Sequence, residues 1–242
     1  MNQITADFFL NGKIQVFQPA NGYRFSIDSL LLAGLSSPSA SATVLDLGTG
    51  CGIIPLILAY KSSSLRLIGV EIQPSLVDLA IKNIKRNGMT DRISIFCKDM
   101  CKLSQNTFDT VIDYVICNPP YRSVQAGRIN PDPQKALARH ELAINLSQLI
   151  AITHKLLRIG GKFISIYPPE RLTDVIFHMR QKAIEPKRVH MIFSKQNEPA
   201  KLVVIEGVRG GRPGIQEISS LVIYRSDGKY TTEVARMLGS RK

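Results

Sequence analysis

The chain has 242 residues, 44% apolar and 21% charged, the proportions of a globular protein that can bury a substantial core. Its apolar runs, such as 53–59, fall well short of the ~20 residues that cross a bilayer, and the first residues show no basic head leading into an apolar stretch, so a cytoplasmic protein without membrane contact is expected. The net charge of +12 is segregated: 10 Lys/Arg face 9 Asp/Glu up to residue 121, against 21 and 10 from residue 122 onward, and such one-sided excess favours a polyanionic partner.

In chain order, Tyr23-Arg24-Phe25-Ser26-Ile27-Asp28 reads as a loop entering a helix through Ser29-Leu30-Leu31-Leu32-Ala33, packed beside the first core strand. From residue 43 apolar strand candidates alternate with helix candidates. The strands are expected at 43–47, 66–72, 93–98, 114–117, 162–167, 188–193 and 202–208. Several are almost continuously apolar (Val-Leu-Asp-Leu, Leu-Ile-Gly-Val, Tyr-Val-Ile-Cys), as strands covered on both faces should be.

Helices are expected at 53–60, after a glycine loop, and at 74–87, with Pro74 in its first turn and Gly88 behind it. Two more are expected at 141–158, stopped by Gly160-Gly161, and at 170–182. The alternation predicts an α/β fold with a mostly parallel, doubly wound sheet of seven strands and helices on both faces. Residues 1–42 form an extension packed on the core, and 43–242 form the main domain. Ligands belong beyond the carboxyl ends of the strands, near the switch point.

The first core strand ends in Asp46-Leu47-Gly48-Thr49-Gly50-Cys51-Gly52 and runs into a helix. Glycines at 48, 50 and 52 allow a tight turn and close approach of a ligand to the backbone. The dinucleotide pattern G-x-G-x-x-G is broken by Ile53, and no Walker lysine follows. The remaining D-x-G-x-G-x-G resembles the first motif of Rossmann-like class I methyltransferases, whose loop underlies the methionyl and ribose parts of S-adenosylmethionine.

That resemblance implies S-adenosylmethionine as cofactor. It gives Glu71, ending the second strand, the ribose hydroxyls to accept. Asp99 accepts from the adenine amino group and Met100 packs on its ring. Asp46 orients the loop or, through water, the cofactor amino group. An acid ending one strand is usually just solvated; three in order at successive strand ends form a pattern.

The fourth strand ends in Asn118-Pro119-Pro120-Tyr121. A Pro-Pro pair is common as a strand terminator, but this one lies where an acceptor would meet a methyl donor. An exocyclic amino nitrogen on a heteroaromatic ring has a delocalised lone pair and is a poor nucleophile. The Asn118 side-chain oxygen and the Pro119 carbonyl suit its two N–H bonds, Pro120 has no N–H to interfere, and Tyr121 suits stacking on a planar acceptor. An activated methyl donor requires positioning rather than a metal or a strong base, and no metal is expected.

The tetrapeptide resembles the N-P-P-Y motif of amino-methyltransferases acting on adenine N6, guanine N2 or a glutamine amide. Together with the stretches 22–28, Ala138-Arg139-His140-Glu141 and 221–233, it resembles the bacterial tRNA(Val) adenine-N6 methyltransferase family over essentially the whole chain. That family implies an adenine in RNA, tRNA foremost, as acceptor. The alternatives are the glutamine amide of a release factor, guanine N2 in rRNA, and a non-catalytic RNA-binding relative. The first usually requires a helical N-terminal substrate domain; the last predicts loss of the glycines or of Asn118, and both are present.

The long segment 122–140 carries Arg122, Arg128 and Arg139, read as RNA contacts in a loop that closes over substrate; the plainer reading of Arg139-His140-Glu141 is a cap for the following helix. The stretch before Tyr114 is longer than usual ahead of N-P-P-Y and predicts a longer strand or a bulge. Cys51, Cys97 and Cys117 read as small buried apolar residues, with no Cys-x-x-Cys pair to suggest zinc. A monomer is expected.

Overall fold

The computed structural model describes residues 4–20, 24–120 and 145–239. It begins with a hairpin that is not among the expected elements: strands β1 (Ile4–Phe9) and β2 (Ile14–Pro19) pair antiparallel. The Asn11-Gly12 turn between them takes positive φ at both residues (56° and 78°), the backbone hand that closes such a hairpin.

Two asparagines one helical turn apart fasten this hairpin to the core. They lie on helix α3 (Pro74–Arg86) and just past its end. Asn83 Oδ1 accepts the Phe17 amide at 2.7 Å while its Nδ2 donates to the Phe17 carbonyl at 2.9 Å. Asn87 does the same for Gln15, at 3.0 and 2.8 Å. The side chains thus stand in for a neighbouring strand along the open edge of β2.

Helix α1 (Ile27–Leu35) follows, then strand β3 (Thr43–Leu47), helix α2 (Ile53–Lys61), strand β4 (Arg66–Glu71), α3 and strand β5 (Ile93–Cys97). After two single 3₁₀ turns comes β6 (Ile112–Cys117). Beyond the undescribed stretch lie helix α4 (Leu146–Leu156), strand β7 (Leu157–Tyr167), helix α5 (Leu172–Gln181), strands β8 (Ile184–Phe193), β9 (Ala200–Arg209) and β10 (Gln216–Val222), and helix α6 (Thr232–Leu238).

The main sheet has the order β10-β8-β9-β7-β6-β3-β4-β5. Only β9 runs against its neighbours. The chain winds outward from β3 through β4 to β5, then crosses back to lay β6 on the other side of β3, which makes the β3/β6 boundary the switch point. The sheet is buried on both faces. On one side α1, α2, α3 and α6 cover Val44, Leu67, Tyr114 and Ile116; on the other α4 and α5 cover Leu45, Val115, Phe163 and Val203. This two-faced burial is why the strands read as continuous apolar runs.

The sheet has eight strands rather than the expected seven. The additional one, β10, is an edge strand of sequence Gln-Glu-Ile-Ser-Ser-Leu-Val in which only Leu221 is buried, so it lacks the apolar signature. The helix expected at 141–158 ends at Leu156 and passes directly into β7, which is interrupted at Gly160 by a left-handed φ of 73° where its register with β6 slips. The expected lengthening before the Asn-Pro-Pro turn is present: β6 starts at Ile112, and its register with β7 slips between Ile112 and Tyr114. Cys97 is exposed, because it ends the edge strand β5, which has no neighbour on that side. Among the described residues no helix is long and apolar enough to cross a membrane, and no cluster of three metal-ligating side chains occurs.

Candidate active site

The glycine loop joins β3 to α2. Gly48, Gly50 and Gly52 have φ of 77°, 57° and 83°, a region in which a Cβ meets its own backbone, so the turn requires glycine. Gly52 also starts α2 against α3: a Cβ there would stand 3.3 Å from the Ala80 Cβ. Gly48 differs, since the nearest atom to a Cβ built on it is Met100 Cε at 3.7 Å. The loop thus presents open backbone with the Met100 methyl at its flank.

Three carboxylates follow at successive strand ends. Glu71, 4% exposed, accepts the Gly50 amide at 3.0 Å through Oε2 and the Gln73 amide at 2.9 Å through Oε1. Burial raises its pKa, and these backbone donors act against the rise. The family resemblance implies ribose hydroxyls as partners of Glu71. In the structure it also pins the glycine loop to β4, helped by bonds from the Gly48 and Thr49 amides to the Val70 carbonyl. Each carboxylate oxygen keeps further acceptor capacity beyond its one amide.

Asp46 is 1% exposed, and the donor beside its carboxylate is the Thr49 hydroxyl, which falls short of full hydrogen-bond geometry. Burial pushes its pKa up to about 7; the neighbouring Thr49 hydroxyl lowers it and the nearby Glu71 raises it further. A buried carboxylate left in this condition is an acceptor prepared for a cation. Asp99 is half-buried and its Oδ1 caps the first 3₁₀ turn through the Cys101 amide at 2.9 Å, which sets Met100 beside the loop.

Across the switch point, Leu47 of β3 stands opposite Cys117 of β6. Gly48 and Asn118 therefore leave their strands side by side. The Cys117 thiol donates to the Leu47 carbonyl at 3.1 Å, and Ser165 Oγ on β7 donates to the Cys117 carbonyl at 2.7 Å, so the end of β6 is held from both flanks. Asn118 and Pro119 are half-buried and Pro120 is exposed. Asn118 Nδ2 donates to Ser29 Oγ, 2.8 Å away on α1, which turns the Oδ1 end away from α1.

One rim of the sheet thus gathers Asp46, Gly48, Gly50, Gly52, Glu71, Asp99, Met100, Asn118, Pro119 and Pro120. Tyr121, Arg122, Arg128 and Arg139 lie outside the described residues. Ser29, Thr49 and Asn83 also serve the site, and Asn83 Nδ2 donates to the Cys51 carbonyl inside the glycine loop at 2.9 Å. Their partners are 21 to 89 positions away or lie across a turn, and no local spacing reports them.

The chain of residues 26–166 matches the family model described as the methyltransferase small domain. The protein is similar to the tRNA1(Val) (adenine(37)-N6)-methyltransferase of Porphyromonas gingivalis, at 27% identity over 96% of this chain and 93% of that one. It is similar to the protein of the same name from Bacteroides fragilis at 27% identity over 82% of each. Among solved structures, a predicted O-methyltransferase from Agrobacterium tumefaciens matches with a TM-score of 0.71 at 16% identity, covering 88% of this chain and 98% of that one. At that identity the match speaks for the fold alone.

Proposed function

The chain belongs to the methyltransferase small domain family, on a Rossmann-like class I fold, and from that premise we propose that it methylates N6 of an adenine in tRNA. The observation that carries the reading is the Asn-Pro-Pro turn leaving β6 beside the glycine loop at the switch point. The names of the relatives supply the acceptor class.

The rim residues fit S-adenosylmethionine. Asp46 is a buried acceptor with only the Thr49 hydroxyl beside it, suited to an ammonium group, and Gly48 presents backbone that no side chain obstructs. Glu71 has acceptor capacity for ribose hydroxyls, while Asp99 and Met100 flank the place for an adenine ring. Bound there, the cofactor supplies a methyl group already activated on a sulfonium.

The protein's own task is then to orient the acceptor. Asn118 Oδ1 and the Pro119 carbonyl accept the two N–H bonds of the adenine amino group, which draws the lone pair out of the ring plane and aims it at the methyl. With S-adenosylmethionine bound, transfer of its methyl from sulfur to this nitrogen would leave one proton for solvent to take, so no side chain of the chain need act as a strong base. Tyr121 stacks on the base, and Arg122, Arg128 and Arg139 meet backbone phosphates. Residues 43–242 are the catalytic domain, with 1–42 as an extension laid on it.

The test is transfer of labelled methyl from S-adenosylmethionine to bulk tRNA taken from a strain lacking this gene, followed by nucleoside mass spectrometry. N6-methyladenosine is the expected product. Label on guanosine, or on protein glutamine when extract is added, overturns the acceptor assignment.

A further inference from the structure

We propose that Asn83 is a positioning residue that ties the cofactor loop to the N-terminal hairpin, so that cofactor binding and the seating of the hairpin are linked. This rests on the cofactor lying over the glycine loop and not on the identity of the acceptor. Asn83 is fully buried on α3, and its side-chain amide meets two parts of the chain at once. Nδ2 donates to the Phe17 carbonyl and to the Cys51 carbonyl, each at 2.9 Å, while Oδ1 accepts the Phe17 amide at 2.7 Å. All three partners are backbone groups of fixed polarity, so the amide has one way round that serves them.

Cys51 is where the loop needs such a hold. It stands between Gly50 and Gly52, both at positive φ, and a glycine on either side leaves its carbonyl free to swing. Cys51 is itself buried, so that carbonyl calls for an internal donor. Glu71 holds the Gly50 amide from the β4 side. Asn83 holds the carbonyl of the next residue from the α3 side, one turn past Ala80, on which Gly52 rests. The second half of the loop is thus clamped between two elements.

A second asparagine supplies the comparison. Asn87, one turn further along, makes the same two bonds to Gln15 that Asn83 makes to Phe17. Its other donor hydrogen goes to the backbone carbonyl of Asn83 at 2.7 Å, not to the loop. Both residues seat the hairpin; of the two, Asn83 alone reaches the loop. Linkage through such a clamp is reciprocal: what steadies the loop steadies Phe17, and loosening Asn83 loosens the cofactor.

The measurement is S-adenosylmethionine affinity by calorimetry on the full-length protein, with urea unfolding in parallel. Asn83→Ala and Asn87→Ala should both unfold at lower urea than wild type, each having lost two bonds to the hairpin. Asn83→Ala should bind cofactor about tenfold more weakly, the worth of one buried hydrogen bond, and Asn87→Ala within about twofold of wild type. A loss of packing alone would weaken both alike. A second readout needs no variant. In wild-type protein, saturating S-adenosylmethionine should slow hydrogen exchange at the Phe17 amide at least about threefold more than at the Gln15 amide.

Wild-type affinity in Asn83→Ala, equal losses in the two variants, or equal slowing at Phe17 and Gln15 would each overturn the assignment. Glu71→Ala separates this from a failure of the cofactor placement: if it too binds as wild type does, the cofactor lies elsewhere and both readings fall. Should Asn83→Ala not fold, the exchange comparison decides.

Discussion

Replacing Asp46 with asparagine should remove a pH dependence that the cofactor-free protein otherwise carries. The Asp46 carboxyl is 1% exposed and is pushed up to about 7 by burial, against the Thr49 hydroxyl beside it, from an ordinary value of 3.8. The folded protein therefore holds this proton between roughly pH 4 and 7 while the unfolded chain has released it. Stability from this group is complete below about pH 4 and is lost as the pH rises through 7. Three pH units at about 1.4 kcal/mol each amount to about 4 kcal/mol, of which roughly 2–3 kcal/mol falls between pH 5 and 8.

The Asp46→Asn variant does not titrate there. Its stability relative to wild type should thus improve by roughly 2–3 kcal/mol on going from pH 5 to pH 8, whatever the amide itself costs at either pH. Urea unfolding at the two pH values, extrapolated to water, measures the difference directly. Added S-adenosylmethionine should reverse the picture, because its ammonium favours the ionised carboxylate: wild-type affinity should rise from pH 5 to 7, and the variant's should not. Stability curves for wild type and variant that run parallel across this pH range would refute the reasoning.

Asn118→Ala should slow methyl transfer by about a hundredfold or more, with cofactor affinity nearly unchanged, as single-turnover kinetics and calorimetry would report. Glu71→Ala strips the Gly50 and Gln73 amides of their acceptor. It should weaken cofactor binding by about tenfold or more and lower the melting temperature, at about 1–3 kcal/mol for each amide left buried. Asn83→Ala removes both bonds to Phe17 and the bond to Cys51. It should cost about 3 kcal/mol in denaturant unfolding and speed hydrogen exchange at the Phe17 amide.

The central sheet was legible because its physics is local. Strands such as Thr43–Leu47 and Ile112–Cys117 are buried on both faces, and composition alone then marks them. Edge strands carry less signal. β10 exposes most of its side chains, so Gln216–Val222 carries no apolar run to mark it as a strand. The N-terminal hairpin has a marker in Asn11-Gly12 between apolar runs.

At the site, residue types and their order along the chain pointed to the strand ends where the structure gathers them. What the sequence lacked was pairing across distance. The two amides that Glu71 holds, the burial of Asp46, the clasp of Asn83 and Asn87 on β2, and the Ser29–Asn118 bond all depend on how separate elements meet. No spacing rule encodes those meetings, because each is set by the packing of helices on the sheet.

The central claim is that the acceptor is the N6 amino group of an adenine in tRNA. It is tested most directly on two unmodified transcripts of tRNA1(Val), the RNA named for the relatives: one with adenine at position 37 and one with guanine there. With purified protein and S-adenosylmethionine, the adenine transcript should yield N6-methyladenosine and the guanine transcript no methylated base. Methylated guanosine from either transcript, or labelling of neither, would contradict it.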